Sequence, residues 1–114
     1  MRHVFAGIRV SDLEASAAWF ERLLGRAADF APNDTELVWD LNEGGSLFLE
    51  RSSEGAGFAR VTVFVDDLEA FLAAAASRGV EPTKRETYDN GVRHATFHDP
   101  DGNDVSFGDL PAAP

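Results

Sequence analysis

Asp99-Pro100-Asp101-Gly102-Asn103-Asp104-Val105-Ser106-Phe107-Gly108 is the stretch that decides the fold of this chain. Asp99 to Gly102 reads as a tight turn, because Pro100 fixes φ at the second position and Gly102 accepts a positive φ at the fourth. Beyond it, Val105 and Phe107 alternate with Asp104 and Ser106, the period of a half-buried strand. Before it, Gly91 to His98 reads as the antiparallel partner, so the C-terminal part is a hairpin. Asp89-Asn90-Gly91 supplies another hairpin turn and predicts a further strand over Thr83 to Tyr88.

Working outward, the same order of elements occurs twice. Val4 to Val10 is rich in β-formers, with Val4, Ala6, Ile8 and Val10 on one face and Phe5, Gly7 and Arg9 on the other. Ser11-Asp12-Leu13-Glu14 matches a capping box, with Ser11 as the cap. Leu13, Ala17, Phe20 and Leu24 follow at helical spacing, widened by Trp19 and Leu23, and Gly25 ends the helix. Arg26 to Phe30 is expected as a short edge strand before a turn at Pro32-Asn33-Asp34. Glu36 to Leu41 and Ser46 to Arg51 then form a hairpin.

Ser52 to Gly57 is the one linker-like stretch, and after it the opening theme returns. Arg60 to Val65 alternates like the first strand, and Asp66-Asp67-Leu68-Glu69 opens a second helix. That helix carries Leu68, Phe71, Leu72 and Ala75 inward. The pattern is βαβββ, repeated over about 1–52 and 57–109 of a single domain spanning 1–114. Neither half buries a helix face and a sheet alone, so the two must share a core. The fold class is α+β, with the helices on one sheet face and the other face left for the opposite half, a ligand or a second chain. Leu110 to Pro114 reads as a frayed tail.

Composition narrows the functions. With 114 residues and a formal net charge of −10, the chain has no means of neutralising a phosphate backbone or seeking an anionic membrane. The absence of Cys removes disulfides and thiolate metal sites. No apolar run reaches the ~20 residues of a membrane span, and no leader pattern precedes the first strand. A cytoplasmic protein is therefore expected, without nucleic-acid or membrane partners.

The chain resembles the vicinal oxygen chelate superfamily, which groups glyoxalases, extradiol dioxygenases, fosfomycin-resistance enzymes and bleomycin-resistance proteins. The resemblance rests on Ile8-Arg9-Val10-Ser11-Asp12-Leu13 leading into Ala18-Trp19-Phe20, on Val65-Asp66-Asp67-Leu68, and on Phe97-His98-Asp99-Pro100-Asp101-Gly102-Asn103. It implies a mixed β-sheet curled around a cleft, with the helices outside. It also implies four metal-ligand positions in metal-dependent members, which fall here on Phe5, Glu50, Arg60 and Ser106. Of these only Glu50 is a competent ligand, since a phenyl ring donates nothing and a guanidinium does not deprotonate. No metal and no cofactor are expected. A displaced site built from His3, Glu50 and His94 is the variant that would restore a metal.

Strand parity places Phe5, Gly7 and Arg9 on the cleft face, with Phe48 and Glu50 from a later strand. From the second half come Arg60, Thr62 and Phe64, then His94, Thr96 and Ser106. The parity of Trp39 stays open. This is an apolar, aromatic lining with a few convergent polar groups, the usual make-up of a small-molecule site. Phe48 and Phe64 are placed to stack on a flat ligand, and an Arg60–Glu50 ion pair is expected where related enzymes hold metal. No nucleophile with a placed base is legible.

The reading is a binding protein of the bleomycin-resistance type, holding a small organic molecule without bond chemistry and working as a homodimer. One alternative is a metal-dependent lyase or dioxygenase with displaced ligands. The other is a structural or regulatory dimer whose cleft is closed by its own side chains.

Overall fold

A computed structural model describes residues 1–110. The first half contains β1 (Val4–Val10), α1 (Leu13–Leu24), β2 (Phe30–Asn33), β3 (Glu36–Asn42) and β4 (Gly45–Arg51). The second contains β5 (Arg60–Phe64), α2 (Leu68–Ser77), β6 (Lys84–Thr87), β7 (Arg93–His98) and β8 (Asp104–Asp109). The βαβββ order therefore occurs twice, as the alternation and capping signals predict.

The strands form two mixed four-stranded sheets, ordered β1-β4-β3-β2 and β5-β8-β7-β6. In each, the first strand pairs parallel to the last of its own repeat, β1 with β4 and β5 with β8. The two sheets share one apolar core. Ile8, Phe20, Leu23 and Trp39 come to it from the first repeat, and Leu68, Leu72, Phe97 and Phe107 from the second. Phe71 is half-buried and stacks on Phe107 at 4.1 Å between ring centroids. Trp39 lies on the core side, its indole N–H donating to the Arg26 carbonyl at 3.0 Å, which settles the parity of β3.

The helix signals act as predicted except at one residue. Asp12, not Ser11, caps α1, its carboxylate accepting from the Ala15 N–H at 3.0 Å. Asp67 does the same for α2 through Ala70. Ser11 is drawn away because its backbone N–H donates to the Asp101 carboxylate across the repeats at 3.0 Å. Gly25 ends α1 in the left-handed region at φ 84°, as expected. The predicted edge strand begins later, at Phe30, and runs through Pro32 to Asn33. An edge position tolerates that proline, because its missing N–H costs the ladder nothing. Of the predicted tail, residues 111–114 lie outside the described residues.

The turn from Asp99 to Gly102, with Asn103 behind it, is the joint between the halves. The Asp99 carboxylate accepts from the backbone N–H groups of Asp101 (3.0 Å) and Asn103 (2.8 Å) and from the Asn103 side chain (2.8 Å). Fully buried Asn103 then donates to the Arg9 carbonyl at 3.0 Å and accepts from the Ala59 N–H at 2.9 Å. One side chain thus ties β8 to the end of β1 and to the linker before β5.

Candidate functional site

The strand faces away from the helices carry the candidate site residues. Leu47 and Leu49 of β4 are buried in the core, so Phe48 and Glu50 face the opposite side, where Phe5, Gly7 and Arg9 of β1 also point. Val61 and Val63 pack against the core, leaving Arg60, Thr62 and Phe64 on the open face of the second sheet. Ala95 and Phe97 are buried inward, so His94 and Thr96 share that open face with Ser106.

A cavity of about 410 Å³ sits on the first sheet, lined by Gly7, Arg9, Phe48, Glu50 and the linker residues Gly55 and Phe58, among others. Its walls depend on two glycines. A Cβ added to Gly7 would lie 2.5 Å from Phe48 Cζ, so the phenyl ring leans across the bare backbone there. A Cβ on Gly55 would lie 2.4 Å from Arg9 Cδ, so the linker passes directly against the arginine stem. Arg9 Nε donates to Glu50 Oε1 at 3.3 Å, and the two residues are register partners across β1 and β4. Opposite Glu50 on β3 stands Glu36, a second carboxylate. Phe58, 85% exposed, projects from the linker beside the cavity.

Strand register orders the second sheet's open face into rows. Thr62, Ser106 and Thr96 are direct partners across β5, β8 and β7, with Lys84 of β6 next in line. Ser106 is buried, and its hydroxyl lies 3.2 Å from that of Thr96. The next row holds Arg60, Asp104 and His98. His98 Nε2 lies 2.8 Å from Asp104 Oδ1, and Asp104 lies 3.7 Å from Arg60 Nε, while His98 Nδ1 meets the Thr83 hydroxyl at 2.9 Å. On the other side, Phe64 rests against Gly108, where an added Cβ would meet Phe64 Cε1 at 3.0 Å.

The structure brings Arg9, Phe48 and Glu50 together in one cavity and gathers Arg60, Thr62, Phe64, His94 and Ser106 on the other sheet. The expected Arg60–Glu50 pair does not form. Each residue takes the nearest opposite charge on its own sheet, Glu50 with Arg9 and Arg60 with Asp104. Nor do His3, Glu50 and His94 converge. His3 bonds the Ser46 hydroxyl at 2.7 Å, four strand positions from Glu50, a span of about 13 Å. His94 lies on the second sheet, 3.8 Å from Glu86, with its buried Nδ1 lacking a hydrogen-bond partner. Sequence reading missed Phe58 and Gly55, although a lone large aromatic after a small, polar linker was the available signal.

Register also changes one position implied by the resemblance. Thr62 pairs with Ser106 and Gly7 with Phe48, and Thr62 and Gly7 each lie two residues beyond Arg60 and Phe5. The counterpart of Ser106 is therefore Phe48 rather than Glu50. The four equivalent positions then carry two phenyl rings, a guanidinium and a hydroxyl. That set does not fit a divalent cation, which needs several neutral imidazole or carboxylate donors. Among the described residues, no three His, Asp or Glu side chains are grouped to hold a metal ion.

The paired βαβββ units, each with one face on the core and one open, define a class of small α+β proteins. The chain belongs to the Glyoxalase/Bleomycin resistance protein/Dioxygenase superfamily, whose model matches residues 1–107. It is similar to the crystal structure of a glyoxalase/bleomycin resistance protein from Catenulispora acidiphila, with 47% identity, a TM-score of 0.93, and 97% of this chain and 100% of that one covered. A bleomycin resistance determinant encoded on the transposon Tn5 shares the fold at 19% identity and a TM-score of 0.80, with 98% of this chain and 100% of that one covered. A lactoylglutathione lyase from Agrobacterium tumefaciens does so at 18% and 0.74, with 93% and 91% covered. At those two identities the likeness is one of fold. No curated protein matches. No helix among the described residues is long and apolar enough to cross a membrane.

Proposed function

We propose that the chain binds a small, flat organic molecule and holds it without bond chemistry, as a homodimer in which a second copy covers the open sheet faces. The observation that carries this is the cavity over Gly7, where the missing side chain lets the half-buried Phe48 ring lie across the backbone and form an aromatic wall. Aromatic walls with a few charged groups at the rim are how small-molecule sites are generally built. The bleomycin resistance determinant among the structural neighbours bears a name consistent with such a role. The ligand-position set of rings, guanidinium and hydroxyl favours binding over metal-dependent lyase or dioxygenase chemistry.

The test is a thermal melt of protein purified without chelator, run against planar aromatic compounds and separately against divalent metal ions. A rise in Tm with aromatic compounds, lost in Phe48→Ala, is the expected result. A stoichiometric metal on elemental analysis, with stabilisation by that metal alone, would return the metal-dependent enzyme to first place.

A further inference from the structure

The open face of the second sheet differs in chemistry from that of the first, although the two are built on the same strand plan. Matching positions carry Gly7, Phe48 and Val38 in the first sheet but Thr62, Ser106 and Thr96 in the second. An apolar row has become a row of three hydroxyls. At the neighbouring position Phe5 is replaced by Arg60, whose side chain is 86% exposed and lies 3.7 Å from its nearest carboxylate. Asp104 stands beside both Arg60 and His98, and Glu86 beside both Lys84 and His94, but the Arg60–Asp104 contact is too long for a hydrogen bond and leaves the guanidinium N–H donors unspent.

The hydrogen-bond count leaves donors free. Thr62, Ser106 and Thr96 bring three O–H groups, and the 3.2 Å contact between Ser106 and Thr96 uses one of them. The exposed Arg60 guanidinium adds N–H donors with a fixed positive charge. On the same strand, Phe64 stands two residues from Thr62, and Arg60 two residues the other way, so the hydroxyl sits about 7 Å from the aromatic wall on one side and about 7 Å from the cation's strand position on the other. That spacing suits an aromatic ring bearing one oxyanion.

We propose that Thr62, Ser106 and Arg60 form an oxyanion subsite, and that the molecule this chain binds is a planar aromatic carboxylate or a close oxyanion equivalent. The inference rests on the small-molecule reading above and names the ligand class. The ring lies against Phe64, and the oxyanion accepts from the Thr62 and Ser106 hydroxyls and from the Arg60 guanidinium.

Three probes of one shape test it by calorimetric titration: 2-naphthoate, the neutral 2-naphthamide and the cationic 2-naphthylmethylammonium. The expected result is naphthoate binding at least ~10-fold tighter than the amide, a preference that falls with added salt. Arg60→Gln and Thr62→Val should each erase most of that preference while leaving Tm unchanged. Equal affinity for acid and amide, or a preference for the cation, would overturn the oxyanion subsite while leaving the binding reading intact. A naphthoate preference that survives in both variants would also overturn it. If none of the three probes binds, both readings fall.

Discussion

At the scale of single residues, Gly7 controls the cavity. Its added Cβ would sit 2.5 Å from a ring carbon of Phe48, closer than real contacts allow, so the ring must rotate away. Gly7→Ala should cost on the order of 1 kcal/mol, the low end for overpacking, because the atoms met are the far end of a half-buried ring that borders the cavity. Adding Phe48→Ala removes the clash, so the double variant should melt above Gly7→Ala alone. A double variant no more stable than the single one would mean the ring does not occupy that space. The face on which Phe48 stands was legible from alternation alone, because inward Leu47 and Leu49 force Phe48 and Glu50 outward. The partner of Glu50 was not legible. An ion pair depends on which strands share a sheet, and the separate sheets put Arg9 beside Glu50 and take Arg60 away to Asp104.

At the scale of elements, two buried polar side chains join pieces that sequence spacing keeps apart. Asp109, at the end of β8, accepts from Arg93 Nε at 3.0 Å and from the first backbone N–H of α2, that of Leu68, at 2.8 Å. The Arg93 guanidinium, helped by that N–H, holds the Asp109 carboxyl below the usual carboxylate range. The folded state therefore prefers the ionised form. The resulting stability is fully present above the unfolded carboxyl value of about 4 and is lost as pH falls through the lower folded value. Chemical denaturation between pH 6 and pH 2 should show stability falling less steeply for Asp109→Asn than for wild type. Equal slopes would mean Asp109 does not drive the acid loss. Asn103 makes the matching argument for the repeat joint. Asn103→Ala leaves the Arg9 carbonyl and Ala59 N–H without their partner, at about 1–3 kcal/mol each for a buried group. A fall in Tm on the order of 10 °C is expected, and an unchanged melt would show the joint to be dispensable. The turn itself could be read from Pro100 and Gly102. Its use as a clasp between repeats could not, since Arg9 and Ala59 meet Asn103 only through tertiary packing, which also removes Ser11 from its predicted cap.

At the scale of the whole molecule, the chain is longer than it is thick, 48 × 33 × 24 Å, with a radius of gyration of 14.2 Å against about 13 Å for a compact domain of this length. The shape follows from the topology, because two sheets joined through one core leave both outer sheet faces uncovered. Those faces hold Phe5 at 56% and Phe64 at 52% exposure, with Phe58 at 85% on the linker between them. Isolated exposed aromatics are ordinary, but three on or beside open sheet faces argue for a partner surface. Closed twofold symmetry is the simplest way to cover both faces at once, each copy's first sheet meeting the other's second. That arrangement would set the Phe48 wall of one copy opposite the hydroxyl row of the other, giving a cleft apolar on one side and hydrogen-bonding on the other. Sedimentation at micromolar concentration should give twice the mass of one chain. Phe5→Glu should shift it to the monomer with its circular dichroism unchanged, since Phe5 lies outside the core. The same variant should weaken binding of an aromatic carboxylate without altering Arg60 or Thr62. A wild-type protein that sediments as a monomer would place the whole site within one chain, and the second copy would then have no part in it.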